Sequence, residues 1–447
     1  MCSGGKKVKF VLLNSPIYRN SSHEQEQYLP PLGLVYIASY IEKAGFEVEI
    51  VDCVKKRLSV ENILSLIRNI KPQYLGINIF TQNFDIVKFI IENIDITCEC
   101  FIGGPVVKCI YEELLSWKTK NRLNIIIGEG EFIIPAILTN KCTEEPLVEH
   151  NLIKVYLVAK ESVYYPKSIS DIELNRKLIP DSDSTIINHY NEKECAIITS
   201  RGCAFDCAFC GGARSLNKDV TIRIRSEKSV INEIEEICKL YPDVQSIRVL
   251  DDLFLRNGES VEMASRIFMR FPDLKWRAMV HTLSLINTID KIKLLHDCNC
   301  RELFMGIESG SENIRKMINK LGTVDDVIRV SSAILNAGID LKGYFIFGFT
   351  HETEDDYKNT YDLANKIKSI SQISQGNFRT SVFQFRPYHG TKLYNEIING
   401  NGIIHEGRIN HEISCFKGRK QFNTDFGNYS QTSDEILNEY IIKTQEL

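Results

Sequence analysis

From residue 8 onward the chain sets short apolar runs against amphipathic segments in strict alternation. The apolar runs fall at 8–14, 47–52, 74–80, 99–103 and 124–128. Stretches with the apolar period of a helix fall between and after them, at 32–43, 60–70, 84–94, 107–117 and 131–138. A strand with no polar alternate has to be covered on both faces, which is the condition of a parallel sheet layered between helices. The pattern predicts a doubly wound α/β domain of five βα repeats within residues 1–142, of the flavodoxin-like or Rossmann-like kind. In such a sheet ligands lie beyond the carboxyl ends of the strands. Those ends carry Ser15, the pair Gly103-Gly104, and Gly128-Glu129-Gly130. Turns want glycine in any case, but glycines at two neighbouring strand ends would also let backbone approach a bulky, flat ligand.

A chain of 447 residues exceeds one ordinary core, so two to three domains are expected. The formal net charge is −4 with both signs interspersed, which gives no basic surface for nucleic acid. No apolar stretch approaches the ~20 residues needed to span a bilayer. The apolar run behind Lys6 and Lys7 is too short for a signal peptide. A cytoplasmic protein without membrane or nucleic-acid partners is expected. The 14 cysteines come without a secretory signal and read as core residues, metal ligands or catalytic thiols rather than cystines. The CxC pairs Cys98/Cys100 and Cys298/Cys300 lack nearby partners and read as structural.

Residues 143–193 lose the alternation and are broken by Pro146, Pro166, Pro180 and a polar run at 181–184. They are expected to form an inter-domain linker with a short hairpin of 155–158 against 163–165. Across 194–395 a second alternation begins, with strands expected at 196–199, 245–250, 275–280, 301–307, 341–347 and 381–386. Helices are expected at 229–240, 259–270, 289–297, 324–337 and 353–368. Six βα units make a partial (β/α)6 barrel of the TIM type, whose chemistry gathers at the carboxyl ends of its strands. Residues 396–447, with a last helix from Ser433, are expected to cover part of the barrel mouth.

Behind the first of those strands stands SRGCAFDCAFCGGARS, residues 200–215. Cys203, Cys207 and Cys210 form a CxxxCxxC that Gly211 and Gly212 follow at once. Three such thiolates can hold three irons of a cubane cluster and leave the fourth open to a small molecule. A structural zinc site is the alternative; it would want a fourth ligand and more often uses CxxC. Phe209, just before the last cysteine, supplies an aromatic wall.

This CxxxCxΦC resembles the signature of the radical S-adenosylmethionine (SAM) superfamily. The later strand ends are similar to its other motifs. Asp252, in LDDLF, stands where family members meet the SAM amino group, a place often filled by GGE. Glu308 and Ser309, in GIESG, stand where the ribose hydroxyls are held. Gly348 lies in a strand and turn usually written GxxGET, which meets adenine and here carries His351 in place of a glycine. PYHGT, from Pro387, resembles the closing P-x-x-GT. Each has a plainer reading: Asp251 and Asp252 can cap the next loop, and Glu308 can serve the following helix. Arg277 can line the cavity or pair with a carboxylate, His281 can be structural or handle a proton, and Tyr344 and Tyr388 can pack or touch substrate.

The first domain, with YLPPLGLVYIASYIEKAGFEVEIVD, GGP and GEGE, resembles the cobalamin-binding domains fused in front of radical SAM enzymes. The variant that supplies a cobalt-ligating histidine carries DxHxxG after the first strand. Here that place reads NSPIYRNSSHE, and His23 lacks the spacing, so cobalamin is expected without a protein histidine. The resemblance implies a cobalamin-dependent radical SAM methyltransferase with a [4Fe-4S] cluster, SAM and cobalamin. An external donor such as flavodoxin or ferredoxin would reduce the cluster, and the substrate would be a small molecule or peptide methylated at an unactivated position. The alternative keeps SAM cleavage but ends in rearrangement, cyclisation or oxidation. A methylthiotransferase would need a second three-cysteine site, which Cys53, Cys98, Cys100, Cys109 and Cys142 do not form by spacing. The non-enzymatic alternative is a cobalamin-binding sensor or structural metal protein.

Overall fold

The computed structural model describes residues 9–16, 29–56, 58–179, 185–401 and 428–447. His23, the polar run at 181–184 and the glycine-broken tail from 402 to 427 lie outside the described residues. The described residues form two compact units, one ending at Ile179 and one beginning at Thr185.

The first unit follows β1 (Lys9–Asn14), α1 (Leu32–Lys43), β2 (Glu47–Asp52), α2 (Val60–Ile70), β3 (Tyr74–Asn78), α3 (Phe84–Glu92), β4 (Glu99–Gly103), α4 (Val107–Leu114), β5 (Leu123–Gly128) and α5 (Ile133–Leu138). The strands are parallel in the order β2-β1-β3-β4-β5, the doubly wound arrangement expected. Both faces are buried: Val11, Leu13, Ile77 and Ile102 lie in one core while Phe10, Leu12 and Phe101 pack on the other side. Helix α2 shows how local signals set the boundaries. Ser59 caps it by accepting from the Asn62 N–H at 3.2 Å, Val60, Ile63, Leu64 and Ile67 turn inward, and left-handed Lys71 stops it.

The linker expectation is corrected in part. β6 (Val148–His150) and β7 (Ile153–Val158) form the hairpin, rather than 155–158 with 163–165, and β7 extends the sheet in parallel beside β5. Ile153, Val155 and Val158 are buried, so the first sheet gains an apolar strand that the loss of βα alternation disguised.

The second unit opens with β8 (Thr185–Ile187) and β9 (Lys193–Ile197), then the short ladder of β10 (Ser200–Arg201) with β11 (Arg223–Ile224). It continues through α6 (Glu227–Leu240), β12 (Ser246–Val249), α7 (Gly258–Phe268), β13 (Lys275–Val280), α8 (Thr282–Ile286), α9 (Ile292–Asp297), β14 (Cys300–Glu308), α10 (Glu312–Met317) and α11 (Val324–Asn336). It ends with β15 (Asp340–Phe347), α12 (Glu354–Ser371), β16 (Phe378–Gln384), α13 (Lys392–Glu396) and α14 (Asp434–Gln445). β9 and β12 to β16 are six parallel strands in sequence order, with β8 antiparallel at one edge: a curled half-barrel sheet. The other edge is covered by α14, where Gln445 Oε1 accepts from the Val382 N–H at 3.0 Å and stands in for a neighbouring strand. Helices α8 and α10 were not expected; at five and six residues they are too short to display a helical period.

Candidate functional site

The cysteine loop leaves the carboxyl end of β9 and is fixed at both ends. At its start the fully buried Asp251, just beyond β12, accepts from the Thr199 N–H at 2.6 Å and the Ser200 hydroxyl at 2.7 Å. Along its length Ala208 donates to Ile318 O at 2.8 Å, Asn319 donates to Asp206 O at 2.7 Å, and Leu393 donates to Ala208 O at 3.1 Å. Phe209 meets Phe349 at 5.5 Å between ring centres, in a small core with Ile314, Ile318, Phe385 and Leu393. The unexpected helix α10 is therefore one wall of the loop's foundation.

Cys203, Cys207 and Cys210 are free thiols on this loop. Burial raises the pKa of all three, that of Cys210 to about 12, against the lowering effect of the Gly212 amide, which donates to its sulfur at 3.4 Å. Each is thus a thiol until a metal displaces its proton. Among the described residues no three Cys, His, Asp or Glu side chains converge as ligands of one metal ion would. Ligands of a cluster each bind a different iron, so three thiolates on one loop would serve one iron apiece.

The predicted carboxylates part company. Asp251 is spent on holding Thr199 and Ser200. Asp252 is exposed, its pKa raised by surrounding protein atoms and lowered by the Gly202 amide, and its charge acts on both Cys203 and Cys210. Glu308 ends β14 in the left-handed region, at φ 66°, where the pairing with β15 slips its register. A non-glycine residue held there stores strain, a mark of functional sites. Its Oε1 accepts from Lys320 Nζ at 3.0 Å, both side chains are buried, and both charges act on Cys207. The Ser309 hydroxyl is turned instead to Thr360, at 3.1 Å, and to the Ser311 N–H. Gly348, at φ 91°, and Phe349 donate their N–H groups to Glu352 Oε2 at 2.7 and 2.8 Å. Burial holds the Glu352 carboxyl well above the carboxylate range.

His281 caps α8: its Nδ1 accepts from the Leu283 N–H at 3.1 Å, which leaves the proton on Nε2. Its ring lies on Phe205 of the cysteine loop, 3.7 Å between centres. Burial, then Lys320 and Arg315, pushes its pKa down to about 2, so it is a neutral donor rather than a proton shuttle. Arg277 is wholly buried and paired with Glu194 and Glu302. Tyr344 is half-buried, with its ring 6.2 Å from that of Phe304.

In the first unit the strand-end groups are turned on one another. Ser15 gives its N–H and hydroxyl to Asn78 and accepts from Asn83 Nδ2 at 2.5 Å. Asn78 donates to Asn14, and Asn14 to Asp52. A Cβ on Gly104 would meet Ile79 O at 2.3 Å, and one on Gly128 would meet Val158 O at 2.4 Å. These two glycines are explained by neighbouring backbone, whereas a Cβ on Gly103 would make only an ordinary contact, with Ile126 O at 3.8 Å. Gly103, Gly104, Gly128 and Gly130 leave the adjacent strand ends of β4 and β5 low in side chains. Cys98 and Cys100, with sulfurs 3.6 Å apart, stand at the opposite end of β4.

A B12 binding domain model matches residues 23–138, and a Radical SAM superfamily model matches residues 197–364. This chain is a radical SAM enzyme with a B12-binding domain. The radical SAM domain calls for a [4Fe-4S] cluster and SAM, and the B12-binding domain for cobalamin. The enzyme is 28% identical over 396 residues to an uncharacterized methyltransferase of Pyrococcus horikoshii, across 84% of this chain and 80% of that one. It is 23% identical over 370 residues to the anaerobic magnesium-protoporphyrin IX monomethyl ester cyclase of Rubrivivax gelatinosus, across 79% and 65%. The radical SAM methyltransferase TsrM of Kitasatospora setae, solved with cobalamin and a [4Fe-4S] cluster, superposes with a TM-score of 0.61 at 16% identity, over 88% of this chain and 75% of that one. The cobalamin-dependent radical SAM enzyme OxsB superposes at 0.58 and 17% identity over 80% of this chain, which spans 52% of OxsB. At these identities the two structures establish the fold. Among the described residues no helix is long and apolar enough to cross a membrane.

Sequence reasoning missed Lys320, Phe205 and the grip of Asp251 on Thr199 and Ser200. Lys320 sits in INKLG behind a six-residue helix, with no spacing that ties it to Glu308.

Proposed function

We propose that the enzyme is a cobalamin-dependent radical SAM methyltransferase acting on an unactivated position of a small-molecule or peptide substrate. The observation that carries this reading is the loop of three free thiols at the first barrel strand end, within electrostatic reach of Asp252, Glu308 and Lys320. Once bound, the cluster supplies the electron that cleaves SAM, and cobalamin supplies a methyl carrier. Cys203, Cys207 and Cys210 would hold three irons. Asp252 would take the SAM amino group, Glu308 the ribose hydroxyls as a carboxylate accepting from a diol, and backbone at Gly348 the adenine. Ser309 serves by holding the turn behind Glu308. Lys320 offsets the negative charge gathered by Glu308 and the thiolates. The backbone at Gly103, Gly104 and Gly128–Gly130 would carry the corrin, and Ser15 would set the shape of that surface from beneath. Phe209 and Phe349 exclude water from the loop. An external flavodoxin or ferredoxin would deliver electrons, and the cytoplasm is the expected setting.

The relative named as a cyclase favours a second reading, SAM cleavage without methyl transfer. Anaerobic reconstitution with iron, sulfide and hydroxocobalamin, followed by product counting, separates them. Methyl transfer gives S-adenosylhomocysteine beside 5′-deoxyadenosine; the second reading gives 5′-deoxyadenosine alone. Retention of no corrinoid would remove the methyltransferase reading.

A further inference from the structure

The Ser309 N–H donates back to Ile307 O at 2.9 Å, which closes a three-residue γ-turn with Glu308 at its centre. A central φ of 66° makes it the rare, strained form of that turn. Such strain persists only where the surroundings over-determine it. Here Arg315 of α10 does so. Its Nη1 donates to Ile307 O at 2.7 Å and to Ser309 O at 3.1 Å, the carbonyls on either side of Glu308. Its Nε and Nη2 donate to Gly322 O at 2.9 and 2.8 Å, and Nη2 also reaches Leu321 O at 3.5 Å. Leu321 and Gly322 directly follow Lys320, whose Nζ meets Glu308 Oε1 at 3.0 Å. One guanidinium therefore grips the main chain on both sides of Glu308 and the main chain just beyond its ion-pair partner.

Packing alone does not ask for an arginine here. Arg315 is 1% exposed, and among the described residues its side chain bonds only to main-chain carbonyls, none to a carboxylate. A buried guanidinium without a carboxylate contact is costly, and an apolar side chain would fill a buried place without that cost. What the arginine supplies is geometry. Its rigid planar fork carries five N–H donors and can hold two chain segments at a set separation, whereas the single ammonium of a lysine is a point on a flexible stem. The guanidinium also lies close enough for its charge to act on Glu308 and Cys207. The fork thus ties the end of β14 to the turn after α10, and the two members of the buried Glu308–Lys320 pair stand on the two segments it ties.

We propose that Arg315 is a positioning residue for the cosubstrate: its fork holds the γ-turn that aims Glu308 and sets the place of Lys320 opposite it. The inference rests on the reading of Glu308 as the contact to the SAM ribose. The test uses the anaerobically reconstituted, unreduced holoenzyme, with bound iron measured for every variant, and reads the dissociation constant of SAM by equilibrium dialysis. Arg315→Lys, which keeps the charge and loses the fork, is expected to weaken SAM by about tenfold at full iron content. Glu308→Gln is expected to do the same. The two together should also give about tenfold, because both act through one carboxylate. A SAM affinity unchanged by Arg315→Lys, loss of iron from that variant, or a loss of about a hundredfold in the double variant would each overturn the proposal. Arg315→Gln takes its place if Arg315→Lys does not fold; failure of both to fold would assign the side chain to folding alone and overturn the proposal as well. Glu308→Gln without effect on SAM would remove the ribose reading and this inference with it. With Glu308→Gln weakened as expected, additivity or indifference at Arg315 counts against this inference alone.

Discussion

The two sheets are both built of parallel βα units, one doubly wound and one curled in sequence order, and they use their carboxyl ends in opposite ways. In the first, the switch point between β1 and β3, where a doubly wound sheet ordinarily receives its ligand, is filled by Asn14, Ser15, Asn78, Asn83 and Asp52 bonded to one another. What it offers is backbone. In the second, the strand ends offer side chains: three free thiols, exposed Asp252 and strained Glu308. A surface that meets a large flat group can work by shape, whereas a site that holds irons and a charged cosubstrate needs groups with lone pairs and charge. Parallel βα units serve both because the loops, not the sheet, carry the chemistry.

The sharpest way to break the contrast is at the thiols. Cys207→Ala should lower bound iron to background and abolish SAM cleavage while leaving corrinoid absorbance in place; iron retained in full would move the cluster elsewhere. Glu308→Gln should come next. It leaves Lys320 buried without its carboxylate, at a cost of about 3 kcal/mol in denaturant unfolding, and should raise the KM for SAM by about tenfold through the lost ribose contact. A change in stability with an unaltered KM would make Glu308 structural only.

Gly104→Ala asks whether the first sheet's glycine answers to packing or to ligand. With a backbone oxygen 2.3 Å from the new Cβ and φ at 139°, it should destabilise the cofactor-free protein by about 2 kcal/mol or more. Loss of corrinoid affinity alone, with unfolding unchanged, would contradict the packing account. The effect that is smallest at neutral pH is at His281. Its pKa falls from 6.5 to about 2 on folding, so the unfolded chain binds the extra proton. Its contribution is complete above pH ~6.5 and declines by up to about 1.4 kcal/mol per pH unit as pH falls below that. His281→Gln should flatten the acid-side slope of stability between pH ~6.5 and ~4.5; identical slopes would mean the imidazole is not shut away.

How far the sequence could be read follows from what spacing records. The strands and long helices were legible because they repeat an apolar period, as Val60–Ile70 and Glu99–Gly103 do to the residue. Part of β7 was legible as a hairpin strand, but its place in the first sheet was hidden because β6 comes between it and α5. Cys203, Cys207 and Cys210 announced themselves by being close in sequence. Lys320 did not, since it acquires its meaning only from Glu308 on a neighbouring strand. Asp251 and Asp252 are adjacent in sequence, and only the fold could show that one grips Thr199 and Ser200 while the other faces solvent.

The most direct test of the central claim is a product count on the anaerobically reconstituted, reduced enzyme given SAM and a substrate that it accepts. The account predicts 5′-deoxyadenosine and S-adenosylhomocysteine together, and neither from Cys207→Ala. S-adenosylhomocysteine formed undiminished by Cys207→Ala, or no 5′-deoxyadenosine from an enzyme with full iron and corrinoid, would contradict it.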